Sequence, residues 1–208
     1  NRNQFGGGYN YNSTGVLGFP QIHCWVLAGL TLMPTTGNVD PTLGEENWKS
    51  SFMHEEEIAQ PGYHRMYLKD YGIWVEQTAT DRTGMYRLTF TQDSDADILV
   101  NLGGYIASTT MRNADVKKVF NNEIEGSFDT YGRHWGGPEN VKVHFVIRFD
   151  KDFERLDGWR DKERYSDIDT LQGSSIITRR HPKEELSYLD SPTSGVSAHY
   201  RVKTGDKI

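Results

Sequence analysis

The sequence predicts an all-β fold, a large antiparallel β-sandwich, and three observations support this expectation. Short alternating segments, rich in aromatic residues and broken by turn residues, extend from Gly18 to Pro182. Helical periodicity is scarce along the same stretch. Only 36% of the 208 residues are hydrophobic, but 11 Tyr, 9 Phe and 5 Trp supply large apolar bodies for a core. This length suits a single large sandwich domain.

Five segments show the strand pattern most clearly. Residues 63–68 and 73–77 flank a Gly-containing connection and predict a hairpin, which residues 85–90 extend into a meander. Residues 98–102 form a nearly continuous apolar run, which predicts a strand covered on both faces. Apolar residues alternate with mostly polar ones over residues 141–149, as in a half-buried strand. These patterns predict substantial burial of Trp74, Leu88, Val143 and Phe145.

Charged clusters dominate the chain from residue 150 to residue 190 and predict an exposed insertion or long connections there. The final residues, 203–208, resemble the middle of a strand rather than its end. We therefore expect residues 1–208 to form a single β-sandwich domain that is incomplete at both ends and carries a charged insertion around residues 150–190.

The composition excludes several classes of partner. A net charge of −6 and a pI near 5.6 argue against nucleic acid and anionic membranes, which need a clustered basic surface. Neutral polar ligands such as sugars fit better. No apolar run approaches the roughly 18 residues that span a bilayer, and residues 1–4 are not a signal peptide. With Cys24 as the single cysteine, this chain forms no internal disulfide and no thiolate metal cluster.

The residues that could perform chemistry give weak signals. The acidic run 55–57 follows His54, but consecutive side chains point in different directions and rarely converge on one atom. The seven histidines lack the paired helical spacings of zinc sites. His54 and His64 could meet across strands, although ordinary hydrogen-bonded or exposed histidines are the better interpretation. The sequence therefore predicts no catalytic residue and no metal ligand in this chain.

The most unusual stretch lies near the start of the chain. Glycines at positions 6–8 would let a ligand approach the backbone, and His23 lies two residues before Trp25. A tryptophan with a hydrogen-bonding neighbour can grip a pyranose ring. A core tryptophan in a strand explains Trp25 equally well.

The same stretch resembles family 92 of the glycoside hydrolases. Gly-Phe-x-x-x-His starts at Gly18, and a following segment ends Met-Pro-Thr-x-Gly at Gly37. Residues 51–63 are similar to the family's His-Glu and Ala-x-Pro-Gly-Tyr segment, and residues 72–84 to its Gly-Ile and Thr-Ala-Thr-x-Arg-x-Gly strand pair. Together with residues 135–137, the resemblance extends over roughly residues 6–160.

This resemblance implies one part of a two-domain enzyme. In the family, an amino-terminal β-sandwich packs on a carboxy-terminal (α/α)6 barrel, and the enzyme hydrolyses α-mannosides with inversion while calcium grips the mannose. The general acid, the base and most calcium ligands belong to the barrel, which these residues do not include. The resemblance thus implies an exo-acting α-mannosidase on mannose-containing glycans, exported by bacteria and secreted, periplasmic or bound at the cell surface.

Residue by residue, the resemblance assigns Gly8, His23 and Trp25 to the mannose pocket, with Trp25 on the leaving-group side. Several members that cleave α-1,2 linkages have a glutamate where this chain has Cys24, which leaves the linkage open. A non-catalytic carbohydrate-binding or structural β-sandwich is the alternative function. A reading frame that continues through several hundred helix-rich residues after Ile208 would favour the enzyme.

Overall fold

A computed structural model describes residues 11–20, 30–103, 105–106, 109–131, 140–173 and 193–208. These residues are nearly all β, as predicted, with seventeen strands in four antiparallel sheets and three short 3-10 helices, Pro41–Leu43, Glu45–Trp48 and His54–Glu56. No helix among them is long and apolar enough to cross a membrane. The strands are β1 (Gly15–Val16), β2 (Phe19–Pro20), β3 (Thr31–Thr36), β4 (Ser50–Ser51), β5 (Ile58–Gln60), β6 (Tyr63–Leu68), β7 (Ile73–Ala79), β8 (Gly84–Phe90), β9 (Ser94–Asn101), β10 (Tyr105–Ile106), β11 (Thr109–Phe120), β12 (Glu123–Tyr131), β13 (Asn140–Arg148), β14 (Arg155–Arg160), β15 (Glu163–Tyr165), β16 (Thr170–Gln172) and β17 (Ser194–Val202).

The largest sheet has six strands in the order β15-β14-β17-β9-β3-β2. Its centre is the pair β9 and β17, in which Val100 lies opposite Val196 and Ile98 opposite Ala198. Because side chains alternate along a strand, Leu99 points to the other face, and it is as deeply buried as Ile98 and Val100. The predicted strand with two covered faces is confirmed.

Residues 37–48 cover the second face of this sheet. Trp48 packs edge-on against Trp159 of β14, with ring centroids 5.9 Å apart. Asn101 of β9 donates a 2.7 Å hydrogen bond from Nδ2 to Oε1 of Glu45. The Trp159 ring also lies over Gly195, where a Cβ would come within 2.6 Å of the indole and 2.1 Å of a backbone oxygen. Only glycine leaves room for this contact.

The charged stretch 150–190 contains strands of the sheets. The strand β14 pairs with β17, and Leu156 within it is fully buried. Its charged residues tolerate this position because Arg155 and Asp157 pair with each other, Nε to Oδ2 at 3.0 Å. We expected an exposed insertion or long connections here, and residues 155–160, 163–165 and 170–172 form strands of the sheets. Residues 174–190 lie outside the described part of the chain.

The predicted meander is the four-stranded sheet β5-β6-β7-β8. Leu88 is buried as predicted. Trp74, in contrast, lies half-buried on the outer face, because Ile73 and Val75 on either side of it point inward. The Arg65 guanidinium covers its ring at 4.6 Å from the centroid, a cation–π contact that suits an exposed face.

The remaining large sheet runs β10-β11-β12-β13, with β16 also paired to β11. Phe128 of β12 is fully buried. Val143 and Phe145 of β13 pack against the core but stay partly exposed, so their burial is less complete than the alternation predicted. Phe145 lies opposite Gly126, whose missing side chain makes room for the ring.

The two phenylalanines provide a matched test of burial, since their rings are 6.3 Å apart on adjacent strands. We expect Phe128→Ala to lower the free energy of unfolding by about 3–5 kcal/mol, as for a fully buried aromatic ring. Phe145→Ala should cost about 1–2.5 kcal/mol, because less apolar area leaves water on folding. Urea unfolding of both variants measures the difference, and equal losses would contradict the observed burial.

Candidate functional site

A half-buried hydrogen-bonded cluster joins the start of the described chain to the four-stranded sheet. The 3-10 helix His54–Glu56 turns the chain so that Glu57 follows at its end, where the Glu57 N–H donates to the His54 carbonyl at 3.1 Å. The hairpin β5-β6 then brings His64 back alongside Glu57, since His64 pairs with Ala59. We call His54, Glu57, His64 and Gln77 the histidine–glutamate cluster.

Glu57 is the centre of this cluster. One carboxylate oxygen lies 2.7 Å from Nδ1 of His54, and the other lies 2.9 Å from Nε2 of His64. The Glu57 side chain is only 3% exposed, so water does not weaken these two interactions as it would at the surface. Gln77, opposite His64 on β7, places its amide nitrogen 3.2 Å from His64 Nδ1.

These contacts favour the protonated form of His54. The ring faces an acceptor with each nitrogen, the Glu57 carboxylate and the Tyr11 carbonyl at 2.6 Å. The hydrogen bond to Glu57 accordingly raises the pKa of His54 above its ordinary value.

The cluster fixes the position of Tyr11. Besides accepting from His54 at its carbonyl, Tyr11 stacks its ring on the imidazole, with centroids 4.1 Å apart and planes 8° from parallel. Phe52 meets the other side of the His54 ring edge-on at 5.3 Å. The Tyr11 ring is nevertheless 66% exposed, so it forms part of the surface. The cluster therefore holds an exposed aromatic residue in a defined orientation.

The three predicted sugar-binding residues, Gly8, His23 and Trp25, lie outside the described part of the chain. The structure does describe residues on each side of them. Tyr11 follows Gly8 by three residues, and Phe19 precedes His23 by four. Phe19 is 3% exposed, and its carbonyl accepts a 2.8 Å hydrogen bond from the Tyr86 hydroxyl.

Sequence reasoning missed Glu57. The side chains of the run 55–57 were expected to point in different directions, and Glu55 is exposed whereas the Glu57 side chain is only 3% exposed. The signal was the spacing of His54 and Glu57, three residues apart and so adjacent on a helical turn. His54 and His64 do meet, but through the carboxylate rather than a metal. Within the described residues, no group of three or more His, Cys, Asp or Glu side chains is placed to hold a metal ion.

The histidine–glutamate cluster has a structural role, and we also call it the brace. Glu57 accepts from two histidines, and an acid in that state has no proton to give to a leaving group. Its role is to hold Tyr11 and the β5-β6 hairpin together. The fold and this brace define an antiparallel β-sandwich domain that orients aromatic residues at its surface.

The family model of the glycosyl hydrolase family 92 N-terminal domain matches residues 1–208. The chain therefore belongs to this family, and the resemblance found in the sequence is confirmed. No curated protein matches the chain.

Solved structures with the same fold are family GH92 enzymes. An α-mannosidase from Bacteroides thetaiotaomicron is 23% identical with a TM-score of 0.73, over 96% of this chain and 26% of that one. Its complex with mannoimidazole gives 23% identity and a TM-score of 0.67, over 95% and 27%. An inverting mannosidase of strain VPI-5482 of that species is 13% identical with a TM-score of 0.61, over 98% and 27%. The chain thus spans about a quarter of these enzymes' length, and the likeness shows the fold.

The charge state of the cluster predicts a pH dependence. The pKa of His54 is raised above 6.5, chiefly by its hydrogen bond to Glu57 and also by the Tyr11 carbonyl, while partial burial opposes the shift. A raised pKa means that the folded state holds the proton more tightly than the unfolded chain. The contribution of this proton to stability is fully present below about pH 6.5 and disappears as pH rises through the folded pKa.

We therefore expect the stability difference between the wild type and His54→Gln to shrink as pH rises above neutrality. Urea unfolding at a series of pH values measures it, and NMR titration of the His54 ring gives the pKa directly. Glu57→Gln should bring that pKa back toward 6.5. A wild-type His54 pKa at or below 6.5 would show that the ring is not held as an imidazolium.

Proposed function

We propose that this chain is the amino-terminal domain of an inverting exo-α-mannosidase that acts on mannose-containing glycans, and that it contributes side chains to the mannose pocket. The match of the family 92 N-terminal domain to residues 1–208 is the observation that supports this most directly. The two neighbouring folds described as mannosidases agree with it. The family resemblance also supports export from the cell, to the medium, the periplasm or the cell surface.

The pocket residues we propose are Gly8, His23 and Trp25. The brace supports this assignment because it fixes Tyr11, and three residues of chain span at most about 11 Å, which limits how far Gly8 can lie from it. The pairing of β2 with β3 likewise fixes the chain just before His23. In this arrangement the sandwich presents a backbone glycine and a tryptophan face to the sugar, with His23 as a hydrogen-bonding neighbour.

The catalytic carboxyls are assigned to a further domain of the same polypeptide, the (α/α)6 barrel that the resemblance implies. Inversion needs an acid and a base with room for a water molecule between them, roughly 6.5–9.5 Å apart. Three carboxylates with little exposed side chain are engaged by hydrogen bonds, which suits structural rather than proton-transfer roles. They are Glu57 with two histidines, Glu45 with Asn101 and Glu123 with Arg148.

The family resemblance implies calcium in the intact enzyme, but we assign no calcium ligand to the described residues. They provide no group of three or more metal-ligating side chains. When bound in the intact enzyme, calcium would hold the hydroxyls of the mannose. The contribution of this chain is to orient the sugar and to exclude water from one side of it.

The isolated 208-residue chain should release no mannose above background, with or without added calcium, because the acid and base that lower the barrier lie elsewhere. Incubation with an aryl α-mannoside tests this, and circular dichroism of the same sample verifies that the chain is folded. Calcium-dependent release of mannose by the folded chain would show that the catalytic groups lie within it.

In the intact enzyme, Trp25→Ala should lower kcat/KM for a mannose disaccharide by about tenfold or more, because a stacking surface on the leaving-group side is lost. An aryl mannoside, whose activated leaving group needs little help, should be affected much less. Steady-state kinetics with both substrates measures the ratio.

Trp74→Ala is the matched control, because Trp74 lies on the outer face of the four-stranded sheet against Tyr67. It should change stability but leave the ratio of the two kcat/KM values as in the wild type. If Trp25→Ala instead unfolds the protein, or lowers both kcat/KM values equally, Trp25 is a core residue and the pocket assignment fails.

A further inference from the structure

A second polar site lies on the central sheet, away from the histidine–glutamate cluster in sequence and sheet. A cavity of about 340 Å³ opens beside strands β9, β14 and β17, next to residues 37–41. This volume is at the lower end of the range of roughly 300–1,000 Å³ for small-molecule pockets. Its polar lining comes mainly from Asp95, Asp97, Arg155, Asp157, Ser197 and His199.

The polar residues on the cavity floor are unusual for this position. Asp97, Ser197 and His199 lie on the same face of the sheet as Leu99 and Trp159, which are almost fully buried. Ser197 and His199 are themselves only 6% and 7% exposed. Burying polar groups costs free energy that apolar residues would not, so a purely structural sheet face would not need them.

The hydrogen bonds among Asp97, Ser197 and His199 leave two of their polar atoms able to bond a ligand. A single carboxylate oxygen of Asp97, Oδ1, accepts from the Ser197 hydroxyl at 2.7 Å and from His199 Nδ1 at 3.3 Å. The carboxylate thereby orients the imidazole. Asp97 Oδ2 and His199 Nε2 have no hydrogen-bond partner in the described part of the chain. Two groups are thus held in place with hydrogen-bonding capacity to spare.

Arginine supplies the complementary donors. Arg155 uses Nε to bond Asp157 at 3.0 Å, which leaves its two terminal nitrogens without a bonded partner among the described residues. Asp157 is fixed in turn by the Asp167 N–H at 3.0 Å and the Ser166 hydroxyl at 3.3 Å. Asp97 and His199, each with an unbonded side-chain atom, line the same cavity as Arg155 with its unbonded donors.

The charged residues that line the cavity indicate which class of ligand it binds. Three aspartates line the cavity with only two arginines, Arg155 and Arg164, so an anion is disfavoured. A metal ion is disfavoured too, because the described residues place no three ligands together. A sugar fits better, because each of its adjacent hydroxyls can both donate and accept a hydrogen bond. These hydroxyls match the acceptors of Asp97 and His199 and the donors of Arg155, in a cavity large enough for one hexose ring.

From these observations we propose that the cavity beside β9, β14 and β17 is a second carbohydrate site that binds a single neutral sugar residue. Asp97 and His199 accept from its hydroxyls, and Arg155 donates to them. The proposal goes beyond the proposed function and does not depend on it.

Isothermal titration of the full-length protein with D-mannose tests the proposal, with the isotherm fitted to two sites because the proposed mannose pocket would bind the same sugar. We expect a weak site whose Kd rises at least tenfold in Asp97→Asn, because an amide in place of Oδ2 turns an acceptor into a donor while Oδ1 can still hold Ser197 and His199. Arg155→Gln should weaken the site in the same way, and its partly exposed side chain makes unfolding a lesser concern. Hydrolysis of an aryl mannoside should be unchanged in both variants.

Asp169→Asn is the matched control, because this aspartate is 81% exposed and pairs with Lys118 outside the cavity. It should bind mannose as the wild type does. The proposal is overturned if folded Asp97→Asn and Arg155→Gln both keep the wild-type mannose isotherm, or if inorganic sulfate binds and mannose does not. Since binding is read separately from hydrolysis, a protein with no mannosidase activity would refute the proposed function and leave this test intact.

Discussion

The pairing of β9 with β17 is the constraint on which the rest of the structure depends. It joins residues 94–101 to residues 194–202 by backbone hydrogen bonds, in a sheet whose two faces are both covered. Backbone groups buried in this way must be paired, so the register of these strands cannot slip without exposing apolar side chains and orphaning polar atoms. Strands β3 and β14 are built onto this pair, and the tryptophan contact between Trp48 and Trp159 closes the second face over it.

Attached to this rigid centre, the four-stranded meander provides the surface for the brace. The two connect through contacts such as the Tyr86 hydroxyl on the Phe19 carbonyl and the Thr36 hydroxyl on the Tyr71 carbonyl, at 2.8 and 2.9 Å. These contacts tie β2 and β3 of the central sheet to the meander that carries the brace.

The periodicity of apolar residues predicted where the strands lie, but not which side chains contact them. The apolar run 98–102 identified a strand with two covered faces, because only burial on both sides explains such a run. The same reasoning predicted that Trp74 is buried, but Trp74 lies on the outer face of its sheet under Arg65. Alternation along a strand does not reveal such a cation–π partner. The same reasoning predicted that the charged segment around Trp159 is exposed, whereas Arg155 and Asp157 in this segment form an ion pair with each other. Glu57 was missed because its second partner, His64, reaches it only through the register of the β5-β6 hairpin.

Both polar places in this domain use a carboxylate in the same way. Glu57 orients two imidazoles, and Asp97 orients one imidazole and a hydroxyl. The two carboxylates differ in how their oxygens are used. Glu57 divides its two oxygens between His54 and His64, which stabilises the chain around it. Asp97 instead concentrates these two bonds on one oxygen in a residue that lines a cavity, and this asymmetry distinguishes the brace from a site that can receive a ligand.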